Sequence, residues 1–168
     1  LPSTTLMNEF RKEGEIASTG RYDSRMYATV FFKCDYFNNG EGNVFGYDYD
    51  AWFKGADKPA FRKFLPADYA GMESNYCAIN IPLMRYSNVL LMKAEALNEL
   101  GRTAQAIPLI NEVRHVPGNM PAMTGTTPEA VRAQIEHERM IEFPLENWRW
   151  YDLRRWGKTP QAMQAAGR

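Results

Sequence analysis

Apolar residues recur at intervals of three and four through the second half of the chain, a spacing typical of amphipathic helices. The first of these helices is predicted to begin near Tyr86 and to end before Gly101, because glycine readily adopts the positive φ of a helix stop. Its apolar face is formed by Val89, Leu90, Ala94, Leu97 and Leu100.

A second helix is predicted from Thr103, as its cap, to about His115, with an inward face of Ala106, Ile107, Ile110 and Val113. Pro108 lies one turn inside and predicts a kink or a 3₁₀ start. The two helices resemble one tetratricopeptide hairpin, although Lys93 stands where an apolar residue is usual. Since a single hairpin cannot bury both of its faces, it must pack on neighbouring helices.

Two further helices follow the hairpin. Thr127-Pro128-Glu129 combines a cap, a proline at the first helical position and an acid in the first turn, and predicts a helix to about residue 143. Pro144 interrupts that helix. Asn147 is predicted to open a fourth helix, which runs through Trp156 and ends at Gly157. Trp150 and Trp156 lie among aliphatic residues and are predicted to belong to the core.

The first half of the chain has a different pattern. Residues 5–14 predict a short helix capped by Thr4 or Thr5, and residues 26–33 are rich in β-branched and aromatic side chains, which predicts a strand. Residues 61–65 predict a short extended piece. Residues 78–83 predict a second strand, on a sheet edge because Pro82 lacks an N–H donor. Residues 35–57 contain several turn signals and predict a long loop, a feature that is usually functional or disordered.

Composition is that of an ordinary globular protein, with 45% hydrophobic and 24% charged residues. Basic and acidic residues balance at 20 each, so no global field favours nucleic acid or anionic lipid. Cys34 and Cys77 lack metal-type spacing; two unpaired thiols or a disulfide in an oxidising compartment are both consistent with the sequence. His137-Glu138 begins a zinc-protease motif, but Ile141 replaces its second histidine, so no metal site or cofactor is predicted.

Acidic and basic residues alternate with large aromatics over residues 138–156. Glu138, Glu142 and Asp152 have two interpretations, a glycosidase acid–base pair or a structural ion network. We favour the network, because every acid has a base nearby and none stands in an apolar setting that would raise its pKa. Enzymatic activity is therefore not expected. The predicted network contains Glu138, Arg139, Glu142, Arg149, Asp152 and Arg155.

The predicted loop is unusually aromatic. Exposed rings with amides and carboxylates around them suit a sugar, since the apolar ring face stacks and the hydroxyls find hydrogen-bond partners. The alternative is that the rings only pin the loop to the helices. The candidate ligand-binding residues are Trp52, Tyr49 and Tyr47 as rings, with Trp52 exposed on the loop surface, and Asn38, Asn39 and Asp50 as polar partners.

Several motifs together resemble the SusD/RagB family. Upstream they are Arg85-Tyr86, Leu90-Leu91-Met92, Ala94-Glu95-Ala96 and Ile110-Asn111-x-Val113-Arg114. Downstream they are Glu138-Arg139-x-x-Glu142 and Arg149-Trp150-x-Asp152-Leu153-x-Arg155-Trp156, and Asp23-Ser24-Arg25 and Arg62-Lys63-Phe64 are consistent with them. Three departures from the family pattern are Pro144, Asn147 and Pro117-Gly118.

The resemblance implies a non-catalytic protein that captures glycans or other nutrients and delivers them to a TonB-dependent outer-membrane transporter. It also implies a lipid-anchored protein at the outer surface of the cell, with membrane contact only through an anchor in a missing amino-terminal part. We therefore interpret residues 1–168 as one carboxy-terminal fragment, with a loop- and strand-rich part at 20–84 and a helical part at 85–158. The expected fold is mainly α, with a tetratricopeptide-like hairpin, packed helices, a short two-stranded β element and long loops. The alternatives are a tetratricopeptide-like protein-interaction module and, less favoured, a glycoside hydrolase fragment.

Overall fold

A computed structural model describes residues 1–40, 42, 44, 46–65 and 79–166. The chain divides into two compact units. We call Leu1–Ile81 with Val116–Met120 the aromatic unit, and Pro82–His115 with Pro121–Arg168 the helical unit. Over the described residues the regular structure is mainly helical with one two-stranded sheet, so the predicted fold class is confirmed. No described helix is both long enough and apolar enough to cross a membrane.

The described elements of the aromatic unit are short. They are α1 (Thr4–Arg11), α2 (Ser24–Thr29), β1 (Val30–Phe31), α3 (Asp35–Asn38), α4 (Tyr49–Phe53) and β2 (Ala60–Phe61). The cap of α1 is Ser3, whose hydroxyl accepts from the N–H of Leu6, and not Thr4 or Thr5 as predicted. Helices α3 and α4 occupy much of the segment that was predicted to be a loop.

The strand predicted over residues 26–33 is wrong for most of its length, because α2 covers Ser24–Thr29. The local reason is Asp23, whose carboxylate accepts from the N–H of Arg25 and caps the helix. The same carboxylate forms a buried ion pair with the Arg25 guanidinium at 2.6 Å. These contacts outweigh the β propensity of the side chains that follow, and only β1 is extended.

The sheet pairs β1 with β2 antiparallel, with Val30 opposite Phe61 and Phe31 opposite Ala60. The extended piece predicted at residues 61–65 therefore begins one residue earlier and supplies only Phe61 to the sheet. The second strand predicted at residues 78–83 is wrong over its described part, since residues 79–83 are not in a strand; Ala78 lies outside the described residues. Pro82 lacks the N–H that a ladder needs, and the apolar side chains of Ile81 and Leu83 are exposed.

The helical unit contains α5 (Tyr86–Glu99), α6 (Thr103–His115), α7 (Pro128–Glu142), α8 (Trp148–Arg155) and α9 (Thr159–Ala165). Helices α5 and α6 form the predicted hairpin and α7 packs against both. Their shared core is apolar and comprises Leu90, Leu91, Ala94, Ala106, Ile110, Val113, Val131, Ile135 and Phe143. Val89 and Leu100, which were predicted to belong to the apolar face of the first helix, are exposed.

The boundaries of these helices follow the predicted signals closely. Gly101 has φ 72° just after α5, and Thr127 caps α7 by accepting from the N–H of Ala130. Thr103 is the first residue of α6 instead of its cap, and its hydroxyl donates to Asn98 Oδ1. Pro108 lies within α6, which is α-helical from its first residue, so the predicted 3₁₀ start is wrong. Helix α9 was not predicted.

Candidate ligand-binding site

The candidate rings of the aromatic unit separate into exposed and buried members. Tyr47 and Trp52 are 55% and 43% exposed, and their ring centroids lie 5.6 Å apart in an edge-on arrangement with an interplanar angle of 62°. Trp52 stands on α4, and Tyr47 pairs with Val44 in an isolated antiparallel bridge just before it. We call Tyr47 and Trp52 the exposed ring pair.

Tyr49 does not belong to the exposed ring pair, which corrects the expectation that it offers a stacking face. Its side chain is 0% exposed and packs edge-on against Phe31 with ring centroids 5.1 Å apart. Its hydroxyl donates to the carbonyl of Ala56 at 3.1 Å and accepts from the N–H of Lys58 at 2.6 Å. Burial raises the pKa of Tyr49, so the hydroxyl keeps its proton at neutral pH. Tyr49 anchors α4 beneath the ring pair.

Two of the three polar candidates are bonded to each other. The amide of Asn38 donates to Asp50 Oδ2 at 2.9 Å, and its carbonyl oxygen accepts from the N–H of Asp50 at 3.0 Å. Lys33 Nζ lies 3.9 Å from the other carboxylate oxygen. These bonds tie the end of α3 to the start of α4. Asn39 follows α3 and is exposed. Asn38 and Asp50 therefore hold the segment that carries the exposed ring pair.

The aromatic unit also contains two cavities of about 510 Å³ each, which the sequence analysis did not predict. The first, which we call the basic cavity, is lined by Thr19, Arg21, Tyr22, Ser24, Tyr27, Ala28, Tyr36, Val44, Arg62, Lys63, Phe64, Leu65 and Asn119. The second, which we call the mixed cavity, shares five of these residues and adds Arg11, Glu15, Gly20, Phe32, Lys33, Cys34, Asp35 and Asn39. The sequence signals that fall in this region are the Asp23-Ser24-Arg25 and Arg62-Lys63-Phe64 motifs and the candidate residue Asn39.

Cations near these cavities lie against aromatic rings. The Arg21 guanidinium is 4.7 Å from the centroid of Tyr36, and that of Arg62 is 5.5 Å from the centroid of Phe37. Arg62 also donates to the carbonyl of Tyr27 at 3.0 Å. The Tyr27 hydroxyl accepts from the N–H of Tyr22, and burial raises the pKa of Tyr27. Cys34, at the rim of the mixed cavity, is a free cysteine whose pKa burial raises, whereas Cys77 lies outside the described residues.

In the helical unit, Asp152 of α8 lies among guanidinium groups. Its carboxylate pairs with Arg139 at 2.7 Å and with Arg155 at 2.9 Å, and both Arg139 and Asp152 are buried. Arg139 donates further to Asn88 Oδ1 at 2.9 Å. Arg155 also reaches Glu95 at 2.7 Å, so the cluster links α5, α7 and α8.

Glu95 was not among the predicted network residues. Its burial alone would raise its pKa, but hydrogen bonds from Arg155 and from the indole N–H of Trp156 outweigh burial and lower it. The adjacent segment Ala94-Glu95-Ala96 was noticed only as a family motif, because the helical period places Glu95 next to the apolar face without showing which cation it meets.

Glu138 and Glu142 have partners that the local sequence does not reveal. Glu138 is fully buried on α7 and pairs with Arg114 of α6 at 2.7 Å. Glu142 pairs with Arg85 at 2.8 Å, and Arg85 also binds Glu146 at 2.8 Å. Both arginines stand in family motifs, but a distance of 24 or 57 residues along the chain hides the pairing.

Two expectations for α8 need correction. Arg149 is exposed and is not one of the buried members of the ion network. Trp150 is 51% exposed and is therefore not in the core; Trp148 instead packs against the core cluster. Trp156 is half-buried, and its indole N–H donates to Glu95. Asn147 has a positive φ of 64° and determines where α8 begins. The start of the helix in turn determines which of its tryptophans faces inward. Ile141, at the second ligand position of the zinc motif, is buried.

Comparison with known proteins gives a consistent result. A protein-family model described as the SusD family matches residues 4–168. Among curated proteins, the chain is 39% identical over 92 residues to SusD-like protein P38 of Formosa agariphila. It is 36% identical over 108 residues to SusD-like protein P2 of the same organism. These alignments cover 50% and 59% of this chain but 18% and 21% of the relatives.

Two solved structures are also similar. A SusD superfamily protein from Bacteroides vulgatus superposes with a TM-score of 0.79 at 28% identity. The match covers 98% of this chain and 35% of that protein. A SusD-like protein from Bacteroides fragilis superposes with a TM-score of 0.59 at 26% identity. That match covers 88% of this chain and 31% of the other. The chain thus spans about a third of the solved proteins and about a fifth of the curated relatives.

Proposed function

Because the chain belongs to the SusD family, we propose that it is part of a non-catalytic binding protein that captures a glycan or another nutrient at the outer surface of a bacterial cell. The protein delivers that ligand to a TonB-dependent outer-membrane transporter. It is held at the outer membrane by a lipid anchor. The sequence resemblance and the family match support this assignment for the whole protein.

The observation that favours a glycan is the exposed ring pair. A sugar ring has one apolar face of C–H groups, and it gains most from an aromatic face that is already held in place. Tyr47 and Trp52 stand on a segment that Tyr49 anchors from below and that the Asn38–Asp50 bonds fasten at its start. The backbone that carries the two rings is therefore held before a ligand arrives, which lowers the entropy cost of stacking.

The carboxylates of the helical unit support a binding role instead of a hydrolytic one. A glycosidase needs two carboxyl groups that face each other across a cleft, with one of them kept protonated. Glu138, Glu142 and Asp152 instead each pair with an arginine. Each of these carboxylates is thereby engaged in an ion pair that joins secondary-structure elements, which is the role expected of a structural network and not of an acid–base pair.

A protein-interaction module remains the second candidate, because the helical unit also exposes aromatic side chains. Trp150 and Tyr151 of α8 are 51% and 62% exposed. The two candidate functions therefore predict different effects of mutations in the exposed ring pair and in α8. The exposed ring pair should determine glycan affinity if the first candidate is right, and α8 should determine partner binding if the second is right.

The test is a calorimetric titration of the complete polypeptide against a panel of polysaccharides. Trp52→Ala and Tyr47→Ala should each weaken the binding of the glycan by about tenfold, since each removes one stacking face. Trp150→Ala and Tyr151→Ala are the matched controls, because they remove rings of comparable exposure from the other unit. The controls should bind like the parent. Unchanged affinity in both ring-pair variants, with a glycan clearly bound, would contradict the ring pair as the site.

A further inference from the structure

The basic cavity carries a charge pattern that stacking on the exposed ring pair does not use. Its described lining includes Arg21, Arg62 and Lys63, and no carboxylate is among these described lining residues. The mixed cavity, by contrast, balances its cations with Glu15 and Asp35. Ligand sites in proteins commonly have volumes of about 300–1,000 Å³, and the basic cavity falls in that range.

Arg62 is the most informative of these cations. One guanidinium nitrogen donates to the carbonyl of Tyr27, and the group lies over the ring of Phe37. Among the residues that the structure describes, no carboxylate forms an ion pair with Arg62. A planar guanidinium presents five N–H donors in a fixed fork, which matches the oxygens of a carboxylate or a sulfate. A single backbone carbonyl leaves most of that fork available.

The surroundings of Arg62 hold neutral donors beside the positive charge. A tyrosine hydroxyl is protonated at neutral pH, and the partial burial of Tyr27 raises its pKa further. Ser24 and Asn119 add a hydroxyl and an amide to the lining. This mixture of cations, hydroxyls and an amide fits a ligand that combines an anionic group with several hydroxyls.

We propose that the basic cavity binds the anionic group of an acidic saccharide, with Arg62 as its main contact and Lys63 as a second cation. The anionic group is a uronate carboxylate or a sulfate ester, which share the geometry that a guanidinium recognises. The inference rests on the proposed glycan-binding function and specifies its ligand class. The mixed cavity shares Arg21 and three tyrosines with the basic cavity, namely Tyr22, Tyr27 and Tyr36. It has room for a neighbouring sugar residue of the same ligand.

The experiment titrates the complete polypeptide with three oligosaccharides of matched length. One is an oligogalacturonide, one is a sulfated galactan fragment and one is a neutral xylan fragment. The variants are Arg62→Gln and Lys63→Gln, with Arg102→Gln as the control. Arg102 is exposed in the helical unit, and its removal changes the net charge by the same amount.

One acidic probe should bind, and its affinity should fall as salt is added because the contact is ionic. Arg62→Gln should weaken that binding by about tenfold and reduce the salt dependence, because it removes a charge-assisted hydrogen bond. Arg102→Gln should bind like the parent. The uronate and sulfate arms identify which anionic group the cavity takes. If Arg62→Gln does not fold, as judged by its circular dichroism, Lys63→Gln provides the same test with a smaller loss.

Three results would overturn the inference. Equal affinity of Arg62→Gln, Lys63→Gln and Arg102→Gln for an acidic probe would place the anionic group elsewhere. Binding of the neutral probe alone would reject the anionic ligand while leaving the proposed glycan-binding function intact. A failure of every glycan in the panel would reject both, and the two proposals are thereby distinguished.

Discussion

The arginines of the helical unit and those of the aromatic unit have different partners. In the helical unit, Arg139 and Arg114 are buried and each pairs with a buried carboxylate. In the aromatic unit, Arg21 and Arg62 lie over aromatic rings beside a cavity. The pair of Asp23 and Arg25 is the exception, since it is a buried ion pair at the start of α2 in the aromatic unit.

The difference has a physical consequence for function. Desolvating an ion is costly, and a buried ion pair offsets that cost only when both partners stay in place. An arginine that is paired in this way fixes the arrangement of helices and cannot also bind a ligand. An arginine over an aromatic ring keeps part of its hydration and most of its hydrogen-bond donors. The difference is consistent with a supporting role for the buried arginines of the helical unit and with the ligand contact that we propose for Arg62 in the aromatic unit.

The largest expected effect tests the ion pairs of the helical unit. Asp152→Ala leaves Arg139 buried without its carboxylate, and breaking a buried pair costs about 3–5 kcal/mol of unfolding free energy. Asp57→Ala in the aromatic unit is the control, since Asp57 is exposed and its loss should cost less than about 1 kcal/mol. Denaturant unfolding followed by circular dichroism measures both.

Equal stability of Asp152→Ala and the parent would remove the structural role of this carboxylate. If that variant also abolished a measured hydrolysis of a glycan, the glycosidase interpretation would replace the binding one. A large loss of stability without any change in a hydrolytic assay is the outcome that the ion network predicts.

A smaller effect tests how the aromatic unit holds its exposed ring pair. Tyr49→Phe keeps the buried ring and removes only the hydroxyl that bonds Ala56 and Lys58. Losing such hydrogen bonds costs about 1 kcal/mol, because folding exchanges them for hydrogen bonds to water. Tyr47→Phe is the control, since Tyr47 is exposed. Thermal unfolding should separate the two variants, and an equal melting temperature would contradict the anchoring role.

The sequence predicts the helical unit better than the aromatic unit. Period, caps and glycine stops act locally, so the helices from Tyr86 onward begin and end close to where they were predicted. The aromatic unit depends on contacts between distant residues, such as Tyr49 with Lys58 and β1 with β2. Side chains with high β propensity there entered α2 because one aspartate capped a helix.

The candidate site shows the same division. Residue type correctly indicated that Trp52 is exposed. The burial of Tyr49 follows from its position on α4, and a one-turn helix is difficult to predict from sequence. The cavities were missed because their lining comes from residues between 11 and 44, from residues 62–65 and from Asn119, which only the folded chain brings together. The partners Glu95, Arg85 and Arg114 were missed for the same reason.

The smallest expected effect concerns pH and the ion pairs of the helical unit. Hydrogen bonds from Arg155 and Trp156 outweigh the effect of burial and hold the pKa of Glu95 below its ordinary value of 4.5. The folded state therefore binds the proton of Glu95 less readily than the unfolded chain does. The stability that ionised Glu95 contributes is complete above its ordinary pKa and is lost as the pH falls through the folded-state pKa.

Glu95→Gln should therefore lower the melting temperature at about pH 7, and the difference from the parent should shrink as the pH falls below 4.5 and the parent loses this contribution. Glu112→Gln on α6 is the control, because Glu112 is exposed in the same unit. Melting curves of the three proteins across this pH range provide the measurement. A difference between Glu95→Gln and the parent that stayed constant with pH would mean that Glu95 acts through packing. In that case its charge would contribute nothing to the ion pairs that distinguish the helical unit from the aromatic unit.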